Sequence, residues 1–110
     1  MKVFVSQPMH TISGEQVYLN QTLVRSRLLC SDHHDVEIID NYSKPPAVVN
    51  DGRIAMLGHS IMLMKDADLV VFTKGWENSK GCCVEMEVCK QYGLKVMLWD
   101  ELFPPDQETK

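Results

Sequence analysis

The sequence predicts a single-domain α/β protein: three layers, α-β-α, around a four- to five-stranded parallel sheet in the order 2-1-3-4. Three observations lead there. Short apolar runs at residues 2–6, 36–40, 68–73 and 95–99 read as buried strands. Stretches of helical periodicity lie between them, and strands joined through helices pair in parallel by crossover connections. The 110 residues supply one core and not two, so 1–110 is one domain.

The first strand, Lys2-Val3-Phe4-Val5-Ser6, is stopped by Pro8, which has no N–H to donate. Ser13 with Gln16 three residues on has capping-box spacing and starts a helix over 15–30. Val17, Val24 and Leu28 recur along it at helical spacing, and Arg25 and Arg27 suit the negative end of its dipole. Residues 31–35 are a polar break before the second strand, Val36 to Asp40. Residues 41–51, with Pro45-Pro46 and Asn50-Asp51-Gly52, carry turn signals and are expected to form a lid over the strand ends or to meet a partner subunit. Ile54, Leu57, Ile61 and Met64 mark a second helix, in which Gly58 would permit close packing. A third strand (68–73) leads through a polar loop to a helix over 84–92, closed by Gly93 as a left-handed C-terminal residue. The fourth strand, 95–99, is followed by at most one short helical turn. Val3, Val5, Ile38, Val70, Phe72, Val96 and Leu98 are the expected buried strand residues.

With 11 basic and 15 acidic residues the net charge is -4, which argues against a general nucleic-acid binder. No apolar run approaches the roughly 18 residues that span a bilayer, and the opening run is too short for a leader, so a cytoplasmic protein without membrane attachment is expected. Three of the four cysteines, Cys82, Cys83 and Cys89, crowd one helix without CxxC spacing, so neither a disulfide nor a metal site is expected.

The order 2-1-3-4 sets the switch point between the strands ending at Ser6 and Thr73, where ligands bind in open α/β sheets. The segment Lys74 to Glu85 thus becomes the focus. A strand-to-helix turn directs backbone N–H groups at an anion, and a helix whose first turn starts near Gly81 places Glu85 one turn in, across from the Ser6–Met9 loop.

Several blocks resemble one family: Lys2 through Met9, Leu57-Gly58-His59-Ser60 through Asp68, and Gly75-Trp76-Glu77-Asn78-Ser79-Lys80-Gly81 with Glu85. They look like the DUF4406 family of small bacterial and phage proteins. That family is similar in turn to the nucleoside 2-deoxyribosyltransferases and deoxynucleoside-monophosphate N-glycosidases, through the first-strand loop, Ala67-Asp68 and the Gly81-to-Glu85 turn. The resemblance implies a fold of that kind, a nucleotide or nucleoside as ligand, a homodimer or larger homo-oligomer, and no cofactor. It implies Glu85 as the nucleophile that displaces the base from the sugar. Ser79 and Gly81 would hold sugar or 5′-phosphate, Ser6, Gln7 and Met9 would frame the nucleotide, and Trp76 and Asn78 would complete the binding loop. Gln7 stands where many relatives have Gly, and Ser60 where the glycosidases carry an acidic Asp. A hydroxyl cannot deliver a proton as a carboxylic acid does. An imidazole is a better proton donor than a hydroxyl, but the adjacent His59 points about 100° away.

Each of these residues has an ordinary reading as well. Glu85 suits the helix dipole, Trp76 can cap the core, Ser79 can be an N-cap and Lys80 a solvated charge. His10, His33 and His34 read as loop residues. The three clustered cysteines read as packing residues, though a thiol in the first turn of a helix can have a lowered pKa. Two functions stand side by side: a nucleotide N-glycosidase or deoxyribosyltransferase working through Glu85, and a nucleotide-binding module that lost its acid.

Overall fold

The computed structural model describes residues 1–9, 11–31, 35–41 and 52–105. Of the lid expected over 41–51, residues 42–51 lie outside them, as do His10, His33 and His34. Eight main elements alternate: β1 (Lys2–Ser6), α1 (Gly14–Cys30), β2 (Glu37–Ile38), α2 (Gly52–Met64), β3 (Leu69–Phe72), α3 (Lys80–Tyr92), β4 (Val96–Leu98) and α4 (Trp99–Leu102). The sheet is β2-β1-β3-β4 and every pair is parallel, with Val3 opposite Leu69, Ser6 opposite Phe72 and Phe72 opposite Leu98.

Alternation along the strands divides the interior in two. Val3, Val5, Leu69 and Val71 face Val24 and Leu28 of α1 and Leu102 of α4. Phe4, Val70 and Phe72 face Met64 of α2 and Cys82, Met86 and Cys89 of α3. The sheet is therefore the middle of three layers, as the sequence predicts.

Local chemistry sets the boundaries. Ser13 Oγ accepts from the Gln16 N–H at 3.1 Å, whereas the Gln16 side chain bonds Asn20 at 2.8 Å, so only half of the capping box forms. α3 starts at Lys80, four residues before the Val84 of the periodic stretch and next to the Gly81 expected for its first turn, because Ser79 caps it by accepting from the Cys82 N–H at 3.3 Å. Gly93 ends it at φ 72°, a conformation that glycine adopts without strain. A single 3-10 turn, Trp76–Asn78, fills the loop after Gly75, itself at φ 84°.

β2 is shorter than the five residues expected. The Ile39 N–H still reaches the Val3 carbonyl, at 2.9 Å, but the next acceptor, the Val5 carbonyl, is taken at 3.1 Å by the Asn41 side chain. A side chain has replaced a rung of the ladder.

Val3, Val5, Val70 and Phe72 are buried as expected, but Ile38 and Val96 are half-buried and Leu98 is exposed. β2 and β4 are the edges of the sheet, and a strand with one neighbour is covered less. A side chain at Gly58 would face open space, so no close approach to the sheet requires the glycine. Cys83 is exposed rather than packed, its thiol donating to the Glu77 carbonyl at 3.4 Å.

Candidate functional site: a cleft at the carboxyl ends of the strands

A cleft of about 510 Å³ opens where β1 and β2 end, between α2 and the start of α3. Gln7, Met9 and Asn41 line it from the strand ends. Met56, Leu57 and Ser60 line it from α2, which is why the apolar stripe of that helix is only partly buried. Ser79, Gly81 and Glu85 line it from α3. Six of the ten residues singled out in the sequence (Gln7, Met9, Ser60, Ser79, Gly81 and Glu85) thus share one cleft.

A seventh, Ser6, joins it through a hydrogen bond. Cys82, Glu85, Met86 and Cys89 form the buried stripe of α3, so Glu85 occupies a position where the helix otherwise packs apolar groups. Ser6, last in β1, points to the same side of the sheet as Phe4. Its Oγ donates to Glu85 Oε1 at 2.6 Å, and both residues are buried. Burial pushes the Glu85 pKa up to about 7, with the Ser6 hydrogen bond opposing it. Glu85 suits the helix dipole, yet the loss of solvent outweighs that help. Near neutrality the group is poised between its two forms. Among the described residues no protein hydrogen bond holds the second oxygen, Oε2.

The Cys82 thiol, also on the cleft, is pushed up by burial despite the hydroxyls of Ser6 and Ser79 beside it. A lowered pKa does not apply to it. The Ser79 hydroxyl accepts from the helix N-terminus, and its own proton is left for another acceptor.

The remaining residues lie elsewhere. His59 is half-buried on α2 beside Ser60 but does not line the cleft. Trp76 sets its ring edge-on to Phe72 at 5.4 Å and packs against the core. Asn78 lines a separate cavity of about 310 Å³ with Pro8, Thr11 and Lys74, which meets the cleft at Ser79. Among the described residues no group of three His, Cys, Asp or Glu side chains could hold a metal, and no helix is long and apolar enough to cross a membrane.

Sequence reasoning missed Asn41, and with it the residue behind it. Val17, Gln21, Val24 and Leu28 form the buried stripe of α1, so Gln21 puts an amide where only apolar groups are expected. Gln21 Nε2 donates to Asn41 Oδ1 at 3.2 Å. Its place in that stripe was the available signal.

The family model described as a domain of unknown function, DUF4406, matches residues 33–98, and the chain belongs to that family. No curated protein and no solved structure matches it.

Proposed function

We propose that this member of the DUF4406 family is a nucleotide N-glycosidase or deoxyribosyltransferase-like protein that attacks the N-glycosidic bond of a (deoxy)nucleotide through Glu85. One observation carries the reading. A carboxylate lines a cleft at the strand ends, with one oxygen fixed by Ser6 and the other without a protein partner among the described residues. Such a group is oriented for attack, and a carboxylate nucleophile divides a difficult displacement into two easier steps.

In the first step Glu85 Oε2 bonds to the anomeric carbon, the bond from that carbon to the base nitrogen breaks, and its electron pair leaves with the base. Water supplies the base with its proton, since Ser60 is too weak an acid. In the second step water or another base attacks the same carbon and releases the carboxylate; water loses a proton to solvent in doing so. The 5′-phosphate rests on Ser79 and the N-terminus of α3, where N–H groups and the helix dipole favour an anion. Lys80, on the rim, adds attraction.

The test is base release from a panel of deoxynucleoside monophosphates. Wild type should turn over, with a rate that rises with pH through about 7 as Glu85 ionises. Glu85→Gln should lose roughly a thousandfold or more while still binding nucleotide. A variant that keeps the full rate refutes the nucleophile.

One observation favours a second reading, a binding module. Among the described residues Glu85 is the only carboxylate lining the cleft, so no second acid is at hand. A wild type that binds nucleotide without releasing base supports it, and release gained by Ser60→Asp would identify a glycosidase scaffold that lost its acid.

A further inference from the structure

Gln7 and Asn41 are two buried primary amides that line the same cleft, and each is held by two partners. Gln7 Nε2 donates to the Val17 carbonyl at 3.3 Å, and Gln7 Oε1 accepts from Asn20 Nδ2 at 2.8 Å. Asn41 Nδ2 donates to the Val5 carbonyl at 3.1 Å, and Asn41 Oδ1 accepts from Gln21 Nε2 at 3.2 Å. A primary amide has two N–H groups and two acceptor lone pairs. Each of these two therefore retains one donor and one acceptor after its bonds among the described residues are counted.

The buttress is costly in itself. Gln21 sits in the apolar stripe of α1, where Leu would bury more apolar surface but leave Asn41 Oδ1 without its partner. What Gln21 does there is fix the orientation of Asn41. Asn20, its neighbour in sequence, does the same for Gln7. Two adjacent residues of one helix thus orient two amides whose anchor points, Val5 and Gln7, are two residues apart on one strand end.

We propose that Gln7 and Asn41 read the edge of the nucleobase, with Asn20 and Gln21 as positioning residues. This rests on the nucleotide reading of the cleft and adds to it the part of the ligand that selects. Neither amide is charged, so the pair suits a neutral group rather than a phosphate. Donor and acceptor together match a heterocycle that offers both on one edge, as nucleobases do. Met56 and Leu57, on the cleft wall from α2, supply apolar surface for the ring. The base thus lies toward β2, and the phosphate toward α3.

Calorimetric titration of the full chain with the four deoxynucleoside 5′-monophosphates and with deoxyribose 5-phosphate tests this. Wild type should bind at least one nucleotide about tenfold or more tightly than the base-free sugar phosphate. Asn41→Ala and Gln7→Ala should each reduce that ratio, and the spread among the four bases, to about threefold or less. Affinity for deoxyribose 5-phosphate should stay within about twofold of wild type. Gln21→Leu guards against a folding failure, because the apolar surface it adds to the stripe offsets the bond lost at Asn41 Oδ1; it should stay folded with a melting temperature near that of wild type and still narrow the spread among bases. Equal wild-type binding of nucleotide and sugar phosphate overturns base reading alone and leaves the nucleotide cleft standing. So does an unchanged base preference in Gln21→Leu together with either alanine variant. Wild type binding neither probe overturns the nucleotide reading and this proposal together.

Discussion

The two ends of the sheet treat polar groups in opposite ways. At the amino ends of the strands, charged and polar groups pair at the surface. The N-terminal amine donates to the Asp35 carbonyl at 2.9 Å, and Asp68 accepts from the Lys2 N–H at 2.7 Å, in exposed surroundings. At the carboxyl ends the polar groups go inside: Ser6, Gln7, Asn41, Thr73 and Glu85 are all buried. Thr73 Oγ1 is the one buried side-chain oxygen or nitrogen without a partner among the described residues. Burial of a polar group costs free energy unless every bond is replaced, and a half-used amide or a raised carboxylate marks bonds that are not replaced. One end of the molecule is built for stability and the other is held at some expense to it.

Substitutions can sharpen or break that contrast. The largest effect belongs to the apolar middle: Phe4→Ala should cost about 3–5 kcal/mol in denaturant unfolding, the usual range for a buried Phe. A loss under about 1 kcal/mol would mean that the core between β1 and α3 is looser than its burial indicates.

Next comes Glu85→Gln, measured as stability against pH. Burial raises the folded pKa to about 7 from 4.5, so the folded chain holds this proton more tightly than the unfolded chain does. Its contribution is full below about pH 4.5 and is lost as pH rises through about 7. The neutral glutamine should therefore gain on wild type above pH 7, by up to roughly 3 kcal/mol, with the gap closing in acid. A gap that widens in acid instead would place the carboxylate in the ionised form and remove the contrast between the ends.

A smaller effect is expected at Ser79. Ser79→Ala removes the N-cap of α3 and should cost about 1 kcal/mol. It should also erase most of any preference for deoxynucleoside monophosphates over nucleosides; equal affinity for both in wild type would sink the phosphate assignment while leaving a sugar-binding cleft.

The smallest change belongs to the amino end. Asp68→Ala removes an exposed acceptor and should cost about 1 kcal/mol or less, with nucleotide affinity unaltered. A variant that loses ligand there would show the two ends to be coupled.

By itself the sequence determined the alternation of strands and helices, the parallel order 2-1-3-4 and the gathering of Ser6, Gln7, Met9, Ser79, Gly81 and Glu85 at one place. Those follow from short-range signals. Apolar runs, a serine three residues before an N–H that it can cap, and a glycine that can turn left-handed act within a few residues of chain. Strand order then brings distant loops together by geometry alone. Tertiary structure decided the rest, because it depends on groups far apart in the chain. Glu85 reads in sequence as a carboxylate at the crevice or as a helix-dipole acid, and only the packing of α3 on β1, 79 residues away, buries it against Ser6 and raises its pKa. Trp76 reads in sequence either as part of the binding loop or as a cap on the core, and only the tertiary structure sets Phe72 edge-on beside it. Asn41 reads as the first residue of a loop. It becomes part of the cleft because its side chain takes the carbonyl that a longer β2 would have claimed, while Gln21 reaches it from the helix behind.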